Sequence, residues 1–310
     1  MNVCLSFPHP STFNPLLCTS KTQLLHLHSN STTILFSFSF PFHSVHRIPQ
    51  LDKKRRRFVT WASSLQLPLL PFPIDQVLVP SETKTLHLYE ARYLALLEES
   101  LFKKKRFFVH FVLDPIAIND TSGEASFAAR YGCLVAIEKV EKLEIGALVS
   151  IRGIGRAKIL KFEQAEPYLT GAVIPLLDNI PHGETELSSK VLEIKEALRN
   201  LNSLEIKLKA PQEALLQTLT ANSLKWSEKT PVPDCDNSFI PPFPELVSFA
   251  ALQPVSGSSE SELQKLQKKK LRAMDIRDTL ERLEDSIGYV QENISLVAAK
   301  LAIQSLDSRS

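Results

Sequence analysis

The sequence predicts an α+β protein, in which a small β-barrel with one inserted helix is followed by a C-terminal helical bundle ending in a long helix. Residues 67–177 contain short apolar runs bounded by Gly, Pro, Asn or Asp, which is typical of strands. Within that half only residues 89–101 repeat apolar side chains every fourth position, which predicts a helix. After Pro181 the apolar spacing changes to steps of three and four, which indicates helices.

The predicted strands are short and evenly spaced, which favours a closed or half-closed barrel. We expect two of them, residues 147–151 and 157–162, to form a hairpin around Gly153-Ile154-Gly155, because glycine pairs of this kind commonly mark turns. Residues 67–93 predict a short apolar strand broken by prolines, a second strand that ends at Pro80 and a third that runs directly into the helix. The other strands are predicted at residues 106–113, 133–140 and 168–177.

The second half divides into helices around a proline-rich connection. The apolar stripe from Leu187 to Leu201 predicts the first helix. Pro211 opens a second helix that continues through residues 214–224, since proline is favoured in a first helical turn. Residues 230–244 hold five prolines and predict an extended connection. A short helix over residues 244–252 and a long final helix from near Ser259 complete the bundle.

The final helix carries a heptad pattern. From Ile276 to Leu301 the apolar residues are spaced alternately four and three apart. This seam could form a homodimeric coiled coil, or pack on the Leu187–Leu201 stripe of the same chain. We favour packing within the chain, because the two stripes have the same spacing. Gly288 interrupts the helix at a cost of about 1 kcal/mol relative to alanine, and we expect it to mark a close contact or a bend.

Residues 1–62 have the composition of a chloroplast transit peptide. No Asp or Glu precedes Asp52, Ser and Thr are abundant, and a basic run occupies residues 53–57. We expect this leader to be disordered and cleaved near Ala62, which places the mature protein in the stroma, with the mitochondrion as the weaker alternative. The apolar run 34–42 is too short to cross a bilayer.

Removal of the leader reverses the net charge. The full chain has 36 basic and 34 acidic residues, of which residues 1–62 hold seven basic and one acidic. The remaining chain has 29 basic and 33 acidic residues, a net charge of −4. A mildly acidic domain lacks the electrostatic footprint of a nucleic-acid-binding protein. Cys133 and Cys235 are far apart in sequence, which indicates neither a disulfide framework nor a zinc site. No later apolar run is long enough for a membrane helix.

Several motifs occur in an order that resembles the N-terminal domain of Lon protease. The opening LPLLPFPIDQVLVP…LHLYEARY covers residues 67–93, and Gly132-Cys133-Leu134-Val135-Ala136-Ile137 is similar to a later family strand. Residues 149–156, the Pro167-Tyr168-Leu169 triplet and the pair Arg282-Leu283 resemble further family motifs. The resemblance implies a PUA-like barrel over residues 63–181 and a helical subdomain over 182–306. Ala91 stands where the family usually has proline.

The resemblance also implies a family signature, made of Glu90, Arg92, Tyr93, Gly132 and Gly153. We interpret these residues as structural. Glu90 suits the positive end of a helix dipole. Tyr93 is placed to pack inward while Arg92 reaches a carboxylate or carbonyl, so that the helix is latched to the barrel.

Nothing in the sequence indicates catalysis. There is no P-loop, no G-x-S-x-G elbow and no histidine pair with metal-ligand spacing. We therefore expect no enzyme activity, no cofactor and no metal. The ATPase and peptidase that follow this domain in a full Lon protease have no counterpart motif here. The basic run 103–106 is interpreted as an exposed helix end, with an anion contact as the alternative.

The predicted function is recognition of protein partners, either unfolded segments or a protease or other partner subunit, in plastid protein quality control. We expect no membrane contact and treat nucleic-acid binding by a PUA-like barrel as the alternative function. Homo-oligomerisation would use the Ile276–Leu301 heptads. The proposed rim of the binding surface comprises the 114–130 loop and the 239–243 segment, with Phe127, Phe239, Ile240 and Phe243.

Overall fold

The computed structural model describes residues 2–4, 64–118, 125–179, 183–208, 218–229 and 234–307, and they form an α+β fold. Among these residues, no helix is both long and apolar enough to cross a bilayer. The strands are β1 Asn2–Cys4, β2 Leu65–Pro73, β3 Thr83–Leu88, β4 Phe107–Ile118, β5 Ala125–Lys142, β6 Ala147–Gln164 and β7 Thr170–Pro175. The helices are α1 Ala91–Phe102, α2 Glu184–Leu208, α3 Leu219–Ser227, α4 Phe243–Ala250, α5 Glu260–Asp275 and α6 Thr279–Asp307, with 3₁₀ turns at Ile74–Gln76 and Asn237–Phe239.

Five of the strands pair in a closed circuit, β6-β5-β4-β2-β7 and back to β6. The circuit closes because β6 is long enough for its two halves to pair with two different strands. Its first half, from Ala147 to Arg152, pairs with β3, and its second half, from Ala157 to Gln164, pairs with β7. The residues from Ala147 to Ala157 also pair with β5 along the other edge. The single helix α1 is inserted between β3 and β4, as the sequence predicts.

The predicted hairpin around Gly153-Ile154-Gly155 is wrong, because residues 147–164 form one uninterrupted strand. The two glycines have a packing role instead. A Cβ on Gly153 would overlap the carbonyl oxygen of Val79, and a Cβ on Gly155 would overlap that of Phe239. Glycine is therefore required where two other backbone segments approach β6 closely. The predicted second strand ending at Pro80 is also wrong, since β2 ends at Pro73 and is followed by the 3₁₀ turn Ile74–Gln76, and residues 77–80 are in no strand.

The heptad seam packs within the chain. Buried residues of α6 and α2 share one hydrophobic cluster, to which α4 also contributes. This confirms that the seam meets the predicted stripe on the first bundle helix. The cluster includes Val191, Ile194, Leu198 and Leu201 from α2, and Leu283, Ile287, Val290 and Val297 from α6.

The long final helix of the prediction is in fact two helices. Ser259 is the N-cap of α5 and forms a capping box, in which the Glu262 carboxylate accepts from the Ser259 N–H and the Ser259 hydroxyl accepts from the Glu262 N–H. At Ile276 the backbone becomes extended, so Ile276 lies outside α6 and the seam starts one turn later. The predicted close contact at Gly288 is wrong, since a Cβ at that position would meet no atom within 4 Å.

Parts of two other predictions fall outside the described residues. Within the predicted leader, Asn2–Cys4 forms a strand that pairs in parallel with residues 85–87 of β3, so the expected disorder does not hold for these three residues. Residues 5–63 are not described. The helix predicted to open at Pro211 begins at Leu219 in the described part, where the Thr218 side chain accepts a hydrogen bond from the Ala221 N–H.

Candidate functional site

The signature at the start of α1 is partly buried and locally paired. Glu90 is the N-cap residue, and its carboxylate lies 2.7 Å from the guanidinium of Arg92. That guanidinium also lies 4.6 Å from the centre of the Tyr93 ring. Tyr93 is 6% exposed and belongs to the main barrel cluster. The latch is therefore the Tyr93 side chain, whereas Glu90 and Arg92 neutralise each other at the surface.

The two signature glycines have steric roles. A Cβ on Gly132 would overlap the carbonyl oxygen of Ala157, just as one on Gly153 would overlap that of Val79. Both contacts lie between neighbouring backbone segments of the barrel. His110 is likewise a core residue, since it is fully buried and its ring stacks on Phe72 with 3.9 Å between centroids. None of these groups faces a site for a ligand.

A buried ionic cluster joins the barrel to the helices. Arg156 on β6 and Arg282 on α6 both form ion pairs with the carboxylate of Asp178, which follows β7. Arg156 also lies 3.0 Å from Glu245 on α4. The carbonyl of Ile276, at the break between α5 and α6, accepts from Arg156 at 2.7 Å and from Arg282 at 2.8 Å. The four charged side chains are at most 5% exposed.

The pKa values of the two acids in this cluster shift in opposite directions. Burial alone would raise the pKa of Asp178, but the hydrogen bond and charge of Arg282, with the charge of Arg156, outweigh it and hold the pKa below its ordinary value. Burial dominates at Glu245 and raises its pKa, despite the nearby Arg156. The cluster is thus a clasp between subdomains, in which Asp178 carries the charge that balances the arginines.

A further ion pair and a hydrogen bond of Arg152 bridge the same boundary. Arg152 on β6 contacts Glu138 at 2.5 Å, the Ser81 carbonyl at 3.1 Å and the Asn222 side chain of α3 at 2.9 Å. Lys270 on α5 lies 2.6 Å from Glu82, just before β3. These contacts pair the charged groups named here with other groups of the protein, so we assign these charged groups a structural role.

The predicted partner-binding residues do not form one exposed surface. Phe239 is only 1% exposed and packs in the barrel cluster that contains Phe111, so its side chain has no access to a partner. The prediction for Phe239 is therefore wrong. Ile240 is half-buried and packs against the same cluster. Phe243 is 36% exposed, with Lys195 Nζ 5.5 Å from its ring centre. The predicted 114–130 loop is wrong over most of its length, because residues up to Ile118 belong to β4 and those from Ala125 belong to β5. Phe127 lies on β5, and its side chain lies outside the described residues.

A cleft that the sequence prediction did not anticipate opens at the start of β2. Its volume is about 520 Å³, and we call it the lysine-run cleft after the residues on one wall. Apolar side chains of β2, β4 and β5, which we call its floor, line it together with two charged segments, which we call its walls: the lysine run 103–105 and residues 234–236. It is lined by Leu65, Gln66, Leu67, Lys103, Lys104, Lys105, Phe107, Leu134, Asp234, Cys235 and Asp236.

Strand register creates this cleft. The β2–β4 pairing begins with Leu69 opposite Val109, which places Leu67 level with Phe107, the first residue of β4. A continued β4 would bring Lys105 beside Leu65. Instead, residues 103–106 turn away from β2, and the space beside the first residues of β2 stays open.

The turn that leaves this space is itself held in place. Lys105 and Arg106 have φ of 51° and 72°, a backbone region that side-chain-bearing residues rarely adopt. The Arg106 N–H donates to the Ser100 carbonyl at 2.8 Å, and its guanidinium donates to the Ile137 carbonyl at 2.9 Å. The surrounding structure thus fixes the conformation of the lysine run.

The walls of the cleft carry opposite charges. Lys103 pairs with Glu99 at 2.9 Å, whereas Lys104 and Lys105 make no ion pair within the part of the chain that the structure describes. On the far wall the Asp236 carboxylate caps the 3₁₀ turn by accepting from the Ser238 N–H at 2.9 Å. Burial raises the pKa of the Cys235 thiol to about 11, so it is protonated at neutral pH. The predicted exposure is confirmed for Lys103, Lys105 and Arg106, whereas Lys104 is half-buried. The place of the run beside an apolar floor was not predicted.

The lining of the cleft combines apolar side chains with lysines and aspartates. Across the described ranges, His, Cys, Asp and Glu form no group that could hold a metal ion. Phe102, the last residue of α1, is 79% exposed immediately before the lysine run. An apolar floor, unpaired ammonium groups and an exposed aromatic ring suit a ligand that is partly apolar and partly anionic.

Residues 66–292 match the sequence model of the ATP-dependent protease La (LON) substrate-binding domain. The N-terminal domain of a Mycobacterium avium complex Lon protease is 15% identical, with a TM-score of 0.42, and the match covers 73% of this chain and 98% of that chain. A Lon N-terminal domain protein from Xanthomonas campestris is 19% identical, with a TM-score of 0.39, over 71% of this chain and 95% of that chain. No curated protein matches the chain in sequence.

Proposed function

Because the chain belongs to the LON substrate-binding domain family, we propose that it is a non-enzymatic module that binds segments of other polypeptides in the lysine-run cleft. One observation carries the choice of this site: an apolar floor lies beside a stretch of β2 that β4 leaves unpaired. An exposed strand edge and an apolar recess together are what an extended peptide needs for binding.

The clasp between the subdomains supports this proposal. The cleft has one wall from the barrel and another from the connection that leads into α4. Arg156 joins the barrel to α4 through Glu245, so the two walls are held at a fixed separation. A binding site that exists before its ligand arrives loses less conformational entropy on binding, which favours affinity for short segments.

The place of action proposed here is the plastid. The acid-poor, hydroxyl-rich composition of residues 1–62 supports import into a chloroplast, and the role would be that of an adaptor or substrate-binding protein in protein quality control. Import of the labelled precursor into isolated chloroplasts and mitochondria tests this part. Processing to a shorter product by mitochondria alone would overturn it.

Direct binding measurements test the recognition function. The full chain is titrated into fluorescently labelled unstructured peptides, and binding is followed by anisotropy. Leu65→Asp places a charge in the apolar recess and is expected to weaken binding, whereas Leu143→Asp, at a position 40% exposed on the β5–β6 turn, serves as the matched control. Failure of every peptide to bind, or equal binding by both variants, would reject the cleft. Competition by RNA tests the alternative function in the same assay.

A further inference from the structure

We propose that the lysine-run cleft selects segments in which an acidic residue neighbours an apolar one, and takes them as an added strand on the free edge of β2. This inference rests on the proposed function and specifies its substrate class. Three observations carry it: the direction of the β2 backbone groups, the charge on the two walls and the concave shape of the apolar floor.

The backbone of β2 has a free edge in the cleft. The Leu69 N–H donates at 2.8 Å to the carbonyl of Leu169, on the β7 side. Successive residues of a strand direct their N–H and C=O groups to opposite edges, so Gln66 directs its groups toward the β4 side. On that side the ladder begins only at Leu69. Gln66 therefore offers a donor and an acceptor to an incoming strand.

The charges define what the strand must carry. Lys104 and Lys105 stand beside this edge without an ion pair in the described residues, so a carboxylate bound there gains two cations. Asp234 and Asp236 on the other wall repel a second carboxylate. Between the walls, Leu67, Phe107 and Leu134 receive an apolar side chain. A segment with one acidic residue next to one large apolar residue therefore pairs with the lysines, places no second carboxylate near the aspartates and fills the apolar floor.

A membrane surface would fit this site less well. Exposed Phe102 and the lysines resemble groups that contact anionic lipids. However, the apolar residues of the cleft lie in a recess, and a lipid headgroup offers no N–H and C=O pair to the Gln66 backbone. The concave floor and the free strand edge favour a peptide.

The test uses the full chain and three ten-residue peptides that differ only in the residue beside a central leucine, which is Asp, Asn or Lys. We expect the Asp peptide to bind about fivefold more tightly than the Asn peptide, since partly exposed ion pairs contribute up to about 1 kcal/mol. Lys104→Glu/Lys105→Glu is expected to reverse this preference. The charge-matched control Lys142→Glu/Lys268→Glu, at two exposed positions outside the cleft, is expected to keep it.

Strand addition has a separate readout. N-methylation of alternate peptide bonds removes the donors of one edge only, so methylation of one set is expected to abolish binding while the other set binds normally. Alkylation of Cys235 locates the peptide, in a chain with Cys4→Ser and Cys18→Ser, because Cys133 is buried. Bound Asp peptide is expected to slow this alkylation.

The outcomes separate this inference from the function on which it rests. If no peptide binds, the recognition function itself fails. If peptides bind but Asp and Asn peptides bind equally, or the preference survives in Lys104→Glu/Lys105→Glu, recognition stands and the acidic selectivity is refuted. Equal tolerance of both methylation sets refutes strand addition. Displacement of the Asp peptide by anionic vesicles, with none by neutral vesicles, assigns the lysines to lipid and also overturns the inference.

Discussion

Arg156 and Arg282 meet at one buried carboxylate, that of Asp178, although they belong to the barrel and to the last helix respectively. Both also donate to the carbonyl of Ile276, where α5 ends. The break between α5 and α6 thus has a structural purpose, because it frees a carbonyl that a continuous helix would use internally. The two subdomains are joined by charge as well as by apolar packing.

Replacement of Asp178 by alanine is expected to destabilise the protein by about 3–5 kcal/mol, because it removes the counter-ion that two buried guanidinium groups share and leaves only Glu245 beside them. Urea denaturation followed by circular dichroism measures the change. The matched control is Asp285→Ala, which removes an exposed partner of Arg272 and is expected to cost no more than about 1 kcal/mol. Similar losses in the two variants would show that the clasp contributes no more than a surface pair.

The acid sensitivity of the fold is expected to depend on Asp178. Its folded pKa lies below the ordinary value of 3.8. Between the folded pKa and pH 3.8 the unfolded chain binds more protons than the folded chain. The stabilisation from Asp178 is therefore present above pH 3.8 and is lost as the pH falls through the folded pKa. Glu245, whose pKa is raised, acts in the opposite sense and loses its contribution as the pH rises.

Asp178→Asn isolates the first of these effects. The unfolding free energies of this variant and of the wild type are measured from pH 6 downwards. We expect them to converge as the pH falls below the ordinary aspartate pKa. Parallel curves throughout this range would mean that the ionisation of Asp178 is not coupled to folding.

Lys84→Met is expected to stabilise the protein at neutral pH. Burial lowers the pKa of Lys84 from 10.5 to about 8, although the charge of Glu82 raises it. The protonated amine is therefore disfavoured in the folded state, by an amount on the order of 3 kcal/mol below pH 8. The free energy of unfolding of the wild type should increase as the pH rises from 8 to 10.5, and that of the variant should not show this increase. The control Lys142→Met, at an exposed position, is expected to change stability by less than about 0.5 kcal/mol.

The same substitution at two glycines is expected to have opposite effects. Gly288→Ala on α6 meets no neighbouring atom and should stabilise the helix by about 1 kcal/mol. Gly153→Ala on β6 would overlap the Val79 carbonyl, and should destabilise by about 3 kcal/mol or prevent folding. Thermal melting of both variants measures the difference, and a stabilising Gly153→Ala would contradict the steric role assigned to that glycine.

Sequence periodicity anticipated the helices of the bundle and the stripe on which α6 packs, because apolar spacing reports directly on which face is buried. It failed at Gly153 and Gly155, since a glycine pair looks the same in a turn and in a strand approached by Val79 and Phe239. Arg156 and Arg282 lie in sequence motifs that resemble those of the family. Asp178 follows the end of a strand and belongs to none of the motifs identified in the sequence. The cleft could not be predicted because it depends on the register between β2 and β4.

Strand β6 contributes to three separate ladders, with β3, β5 and β7. Loss of this strand would leave β3 without its antiparallel neighbour and break the circuit on both sides. Local opening of one part of the barrel is therefore energetically tied to opening of the rest. We expect amide protons on both halves of β6 to exchange with solvent deuterium at the same slow rate, as members of one cooperative unit, whereas those at the exposed C-terminal end of α6 exchange sooner.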